Sequence, residues 1–310
     1  VLNPTALYRF ETDGPGPARR PGPLLALLGG FVDAGNIQRT LSTHLLESGE
    51  AEVVASFAVD ELLDYRGRRP VMVFDTNRWV SYDDPAILLY RLTDRDGQTY
   101  YVLTGPEPDY QWERFIEAVR EVMAVLGVTL VVTAHGIPMG VPHTRPVGMT
   151  AHATDARLVG EAESPFGRVQ VPASVTALLE LRLGEAGQDA LGFAIHVPHY
   201  LGAAEWAEGA LTALNAIVDH TGLNLPNDDL VAKAGVNTRE IARELADNTD
   251  AAQLVTALEQ QYDAFTQGRA RPSLLATEAS ELPSADQLGA EFEEFLRNNP
   301  ETNPGPSSEA

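Results

Sequence analysis

The stretch YQWERFIEAVREVMAVLGVTLVVTAHG, Tyr110–Gly136, decides the fold. Trp112, Phe115, Ile116, Val119, Val122, Met123 and Leu126 recur at the spacing of a helix with one apolar face, and Gly127 stands where such a helix stops. The run VTLVVT follows directly as a buried strand, as expected where helices cover both faces of a sheet. A polar segment rich in glycine and proline comes next. Helix, glycine, buried strand and polar turn make one half-turn of a doubly wound α/β unit.

The same pattern extends in both directions. PLLALLGG (23–30) reads as a second buried strand, and NIQRTLSTHLLESG (36–49) as a helix with Gly49 at its C-cap. EVVASFAVD (52–60) and RPVMVFD (69–75) are β-branched runs bounded by turn residues. AILLYRLTDRDGQTYYVLTG (86–105) is a hairpin turning on Asp96-Gly97. VPASVTALLELRLGEAG (171–187) predicts a helix, DALGFAIHVPHYL (189–201) a strand ending in a Pro-His loop, and AAEWAEGALTALNAIVDHTG (203–222) a long amphipathic helix.

From about Leu225 the pattern is helical only, with predicted capping pairs Asn237/Glu240, Asp250/Gln253 and Ser284/Gln287. The Gly/Pro-rich start reads as an extended lead-in over 1–22, before an α/β core over 23–222. A helical extension over 223–297 and a disordered tail over 298–310 complete the expected organisation.

Lys and Arg total 22 against 44 Asp and Glu, a formal net charge of -22. A long phosphate-binding face is excluded, because nucleic acid would be repelled at range. With no cysteine, disulfides, thiolate nucleophiles and cysteine-held metal centres are excluded too. There is no signal-peptide pattern and no run of ~20 apolar residues, so neither export nor a membrane span is expected. The expected location is cytoplasmic.

Candidate chemistry gathers in Thr133–Asp155, TAHGIPMGVPHTRPVGMTAHATD. His135 follows Val131-Val132, where a crevice beyond the strands' carboxyl ends would lie. With His143, Arg145 and His152 on a loop stiffened by proline, and Gly136 permitting close approach, it could bind an anion or hold a general base. The alternative is scaffold, with the histidines satisfied by backbone carbonyls.

A second candidate is GGFVDAGN, where Gly29, Gly30, Asp33 and Asn36 sit at a strand-to-helix junction suited to an anion. Asp33 disfavours a phosphate there, and helix capping by Asp33 or Asn36 is the simpler reading. His196 and His199, with the other histidines and Asp155, match no metal signature, so no metal and no cofactor is expected. DELLDYRGRRP (60–70) places Asp60, Glu61, Asp64, Arg66, Arg68 and Arg69 beside a strand end. GxSxG and GxxxxGK are both absent. If both turns line one pocket, Asp33, His135 and Arg145 should surround a common cavity.

Taken together, GGFVDAGN, DELLDYRGRRP, YYVLTGPEPDYQWERF, HGIPMGVPHTRPVGMTAHAT and VPASVTALLELRLGEAGQDALGFAIHVPHYL resemble the PAC2 family, the proteasome assembly chaperone 2-like family, in its long actinobacterial form. The resemblance implies a three-layer α/β sandwich of the phosphorylase/hydrolase type with a C-terminal all-helical extension. It also implies a homo-oligomer, a homotrimer, that binds protein in assembly or chaperone fashion, in a branch of the family with no settled biochemical activity. The alternative is a small-molecule binder, or a hydrolase- or phosphorylase-like enzyme, using the crevice near His135. Archaeal members dock on proteasome rings through a C-terminal hydrophobic–Tyr–any-residue ending. This chain ends SSEA, so docking by that tail is not expected.

Overall fold

The computed structural model describes residues 3–11, 22–160, 167–246 and 248–266. Among the described residues, ten strands and seven α-helices succeed one another as β1 (Tyr8–Phe10), β2 (Leu24–Gly29), α1 (Ile37–Glu47), β3 (Glu52–Phe57), α2 (Val59–Leu62), β4 (Met72–Asp75), β5 (Arg78–Tyr82), β6 (Ile87–Thr93), β7 (Thr99–Pro106), α3 (Trp112–Leu126), β8 (Leu130–Met139), β9 (Met149–Ala153), α4 (Val175–Glu185), β10 (Asp189–Pro198), α5 (Ala207–Thr221), α6 (Asp228–Ala246) and α7 (Thr249–Thr266). Eight strands form one mixed sheet in the order β1-β3-β6-β7-β2-β8-β10-β9. Its middle, β7-β2-β8-β10, is parallel, and antiparallel strands flank it on both sides.

The unbroken apolar run of β2 is explained by its position. Leu25 and Leu27 face one core, with α1, α5 and α6. Leu24, Ala26 and Leu28 face the other, with α3 and α4. Each fully buried leucine contributes about 2 kcal/mol, so a polar residue anywhere along β2 would weaken one layer or the other. The fold is therefore α/β in three layers, with helices on both sides of the sheet.

Several local expectations meet their structure. Gly97 has φ 82° in the β6–β7 turn, and Gly127 and Gly222 end α3 and α5 with φ 73° and 70°. Asp94 reinforces the β6–β7 turn, accepting from the Gln98 and Asp96 amides at 2.7 and 3.0 Å. Its second oxygen accepts from the Asn224 amide at 2.8 Å, which pins the start of the helical extension to that turn.

Other expectations are corrected. α1 ends on Ser48, whose amide donates to the His44 carbonyl, one residue before Gly49. Asn237 does not start a helix; it lies inside α6, and its Oδ1 accepts from the Ala207 amide at 3.4 Å. Burial of Leu230, Ala234 and Ile241 against α5 and its neighbours keeps α6 continuous through that point. Asn248 caps α7 by accepting from the Ala251 amide at 3.1 Å, two residues before the expected Asp250. Residues 8–10, within the stretch expected as a lead-in, form the edge strand β1, and Leu7 is fully buried. Ser284/Gln287 and the tail over 298–310 lie outside the described residues. Among the described residues, no helix is long and apolar enough to cross a membrane.

Candidate functional site

The carboxyl ends of the parallel strands bring the two expected turns into contact, while alternation puts His135 on the face of the sheet opposite Asp33. After β2, Asp33 turns back to accept from the Gln38 amide at 3.0 Å and from the Gly136 amide at 3.3 Å. Asp33 thus caps α1, as the simpler reading expected, and also joins that turn to β8. Loss of water raises its carboxyl pKa, while the amides of Gln38 and Gly136 pull it back. Gly136 is where the backbones meet, since a Cβ there would lie 1.8 Å from the Ala34 carbonyl oxygen.

His135 was expected just beyond the strand. Instead β8 runs on to Met139, because β10 pairs with it in parallel from Asp189↔Leu130 to Pro198↔Met139. Alternation then sends His135 to the face opposite Gly136. There its ring centroid lies 6.4 Å from that of His152, whose Nδ1 is 2.9 Å from Glu180 Oε1 on α4. Gly192 of β10 makes room for this pair, since a Cβ would meet His152 Cε1 at 2.1 Å. On the same face His196 Nε2 lies 2.8 Å from the Thr150 hydroxyl.

Burial lowers His135 to a pKa of about 4, with the neighbouring His152 adding to the effect and Glu180 opposing it. Burial alone takes His196 to about 4. At neutral pH both rings are neutral.

The remaining candidates are held elsewhere. The Tyr200 hydroxyl accepts from the His143 amide at 2.9 Å and lies 2.7 Å from His143 Nδ1. Burial lowers His143 and raises Tyr200, consistent with the phenol donating to a neutral imidazole. Arg145 forms a fork on Asp263 of α7, Nε–Oδ1 2.8 Å and Nη2–Oδ2 2.7 Å, and reaches Glu259 at 3.3 Å. Thr144 also bonds Glu259.

His199 stacks edge-on to Tyr200 at 5.5 Å, and its buried Nδ1 has no hydrogen-bond partner among the described residues. Asn36, with φ 53°, lines an open groove of about 400 Å³ with Arg39, Thr40, Thr43, Glu205 and Lys233, none of them a histidine. Asp33, His135 and Arg145 therefore do not surround one cavity. Sheet alternation separates the first two, and the pairing with α7 withdraws the third. Among the described residues, no three His, Asp or Glu side chains are arranged to hold a metal ion.

The group that organises this edge was not singled out in the sequence. Glu107, 5% exposed, accepts from the Val175 amide at the start of α4 (2.6 Å) and from the Phe31 amide (3.3 Å). A Cβ on Gly30 would sit 3.1 Å from its carboxylate, a tight contact. Glu107→Ala should orphan two amides and lower unfolding stability by about 2–3 kcal/mol, with Glu107→Gln recovering part. Urea melts check this; a loss under about 0.5 kcal/mol would mean that water replaces the carboxylate freely.

In DELLDYRGRRP, Arg68 pairs with Asp109 at 2.9 Å, Glu61 with Arg114 at 2.6 Å, and Asp60 accepts from the Tyr65 hydroxyl at 2.7 Å. These charges brace the chain itself.

The model of the PAC2 family matches residues 27–245. The chain belongs to the PAC2 family. Solved PAC2-like structures share its architecture. The Mycobacterium tuberculosis protein of unknown function Rv2714 is 40% identical, with 85% of this chain and 90% of that one covered and a TM-score of 0.81. A Corynebacterium glutamicum protein of unknown function is 34% identical over 85% of this chain and 99% of that one, with a TM-score of 0.80. The M. tuberculosis proteasome-assembly chaperone homologue Rv2125 is 25% identical over 75% of this chain and 99% of that one, with a TM-score of 0.68. A comparison with curated proteins gives no match.

Proposed function

We propose that this PAC2-family protein is a cytoplasmic homo-oligomer that binds other proteins in assembly or chaperone fashion and is not an enzyme. The observation that carries the reading is its likeness, across most of both chains, to the proteasome-assembly chaperone homologue Rv2125. The engagement of the loop's side chains within the chain supports it: His143 serves Tyr200, Arg145 serves α7, and His152 serves Glu180. A general base at His135 would have to work from the middle of a strand.

The test combines native capture with ligand-dependent melting. The expected result is recovery of incompletely assembled subunits of a larger complex, depleted in the finished complex, with no melting shift across a small-molecule library. A specific ligand that raises the melting temperature by mass action, and loses that effect in His135→Ala, would overturn the reading in favour of a small-molecule site.

A further inference from the structure

Of the 22 Lys and Arg in these 310 residues, Lys233 is the only lysine; arginine stands at every other basic position. The two cations differ in chemistry. A guanidinium keeps its proton throughout the range in which proteins fold, whereas a lysine can release one and present a nucleophilic amine. An arginine at 233 could grip a carboxylate through two parallel bonds, so lysine there gives up pairing strength and retains reactivity.

Its surroundings supply a base and an anion contact. Lys233 lies on α6 with its side chain 51% exposed, and it pairs with Glu205 in the turn before α5. Both line the open groove with Asn36, Arg39, Thr40 and Thr43, which share one face along α1 and its cap. The Thr40 hydroxyl donates to Glu205 Oε1 at 2.9 Å and so fixes the carboxylate beside the amine. The exposed Arg39 guanidinium makes no ion pair among the described residues. It still acts on Glu205. Burial alone would raise that carboxyl's pKa, and the bonds from Lys233 and Thr40, with the charges of Lys233 and Arg39, bring it below its ordinary value. A guanidinium whose fork is free matches a phosphate, and Thr43 adds a hydroxyl to the same wall. A phosphate held there would set whatever acyl group it carries within the groove that holds the amine.

We propose that Lys233 is a modification site acylated by a small acyl phosphate, with Arg39 holding the phosphate and Glu205 relaying the proton. The ammonium first loses a proton to water. The free amine attacks the acyl carbon, and as the C–N bond forms a second proton passes from nitrogen to Glu205. The C–O bond to phosphate then breaks, and the phosphate leaves with the proton that Glu205 held. The amide product is uncharged, so Glu205 loses its cation and the tie between α6 and the turn before α5 is weakened. This inference stands apart from the protein-binding reading.

Acetyl phosphate added to the full chain tests it, read by intact mass and peptide mapping, with a free lysine-containing peptide in the same tube as reference. Wild type should gain one acetyl group at Lys233 faster than the reference gains its own, and Lys233→Arg should gain none at that position. Arg39→Gln should slow the reaction about 10-fold, the worth of a charged hydrogen bond. Inorganic phosphate should slow wild type and leave Arg39→Gln unaffected. S-acetyl-N-acetylcysteamine, a donor without phosphate, should acetylate wild type and Arg39→Gln at similar rates. A Lys233 no faster than the reference peptide, or Arg39→Gln slowing both donors alike, would overturn the site.

Discussion

Gly136→Ala is expected to destabilise the protein by about 3 kcal/mol, a large share of a typical domain's stability. The added methyl group would lie 1.8 Å from the Ala34 carbonyl oxygen and 2.9 Å from the Ile37 side chain, so backbone has to move. That backbone is held from both sides: the Gly35 amide donates to the Gly202 carbonyl and the Trp206 amide to the Gly35 carbonyl, each at 2.9 Å. Shifting the turn also strains the Asp33 bond to the Gly136 amide. Gly49→Ala is the control. A Cβ there meets nothing within 4 Å, so its effect should be within about 1 kcal/mol of neutral. Urea unfolding of both variants decides the matter; equal effects would show that the turn and β8 are not tightly joined.

Mild acid should be the second large perturbation. His135 and His196 titrate near 4 in the folded protein and near 6.5 when unfolded. Between those values the unfolded chain holds protons that the native state refuses, so stability falls as pH drops below 6.5 and stops falling on their account below about 4. The full loss is up to about 3 kcal/mol for each ring, taking 1.36 kcal/mol per pKa unit. Carboxylates titrate over part of this range, so the histidine share is read as a difference. His135→Gln and His196→Gln should each flatten the dependence of unfolding free energy on pH between 6.5 and 4. Imidazole proton shifts near pH 6.5 in the folded protein, or variants parallel to wild type, would count decisively against the assignment.

Both predictions depend on relations that run between segments, and this divides what the sequence carried from what it could not. The helix over Trp112–Leu126, the β2 run and the Asp96-Gly97 turn are local statements. Side-chain spacing, an unbroken apolar run and a residue tolerant of positive φ each report the environment of the segment that contains them. The family resemblance drew on the same long blocks.

The hairpin partner β5 was not read, because RWVSY alternates no more clearly than a loop and its partner strand is itself exposed. Glu107 was passed over as well. A lone glutamate carries no mark that it will be buried beneath two amides from residues 31 and 175.

The candidate site shows the same division. The amino-acid order alone determined that His135 stands beside a glycine just past a central apolar run, and that Arg145 lies on a proline-stiffened loop. Which face His135 takes was set by how far β10 pairs along β8, since adding residues to a strand changes where it ends and the alternation assigns each side chain to one layer. What Arg145 binds was set by where α7 docks, about 118 residues later in the chain. Period and turn chemistry are written locally, whereas pairing length and helix docking are sums over distant contacts that only the folded chain evaluates.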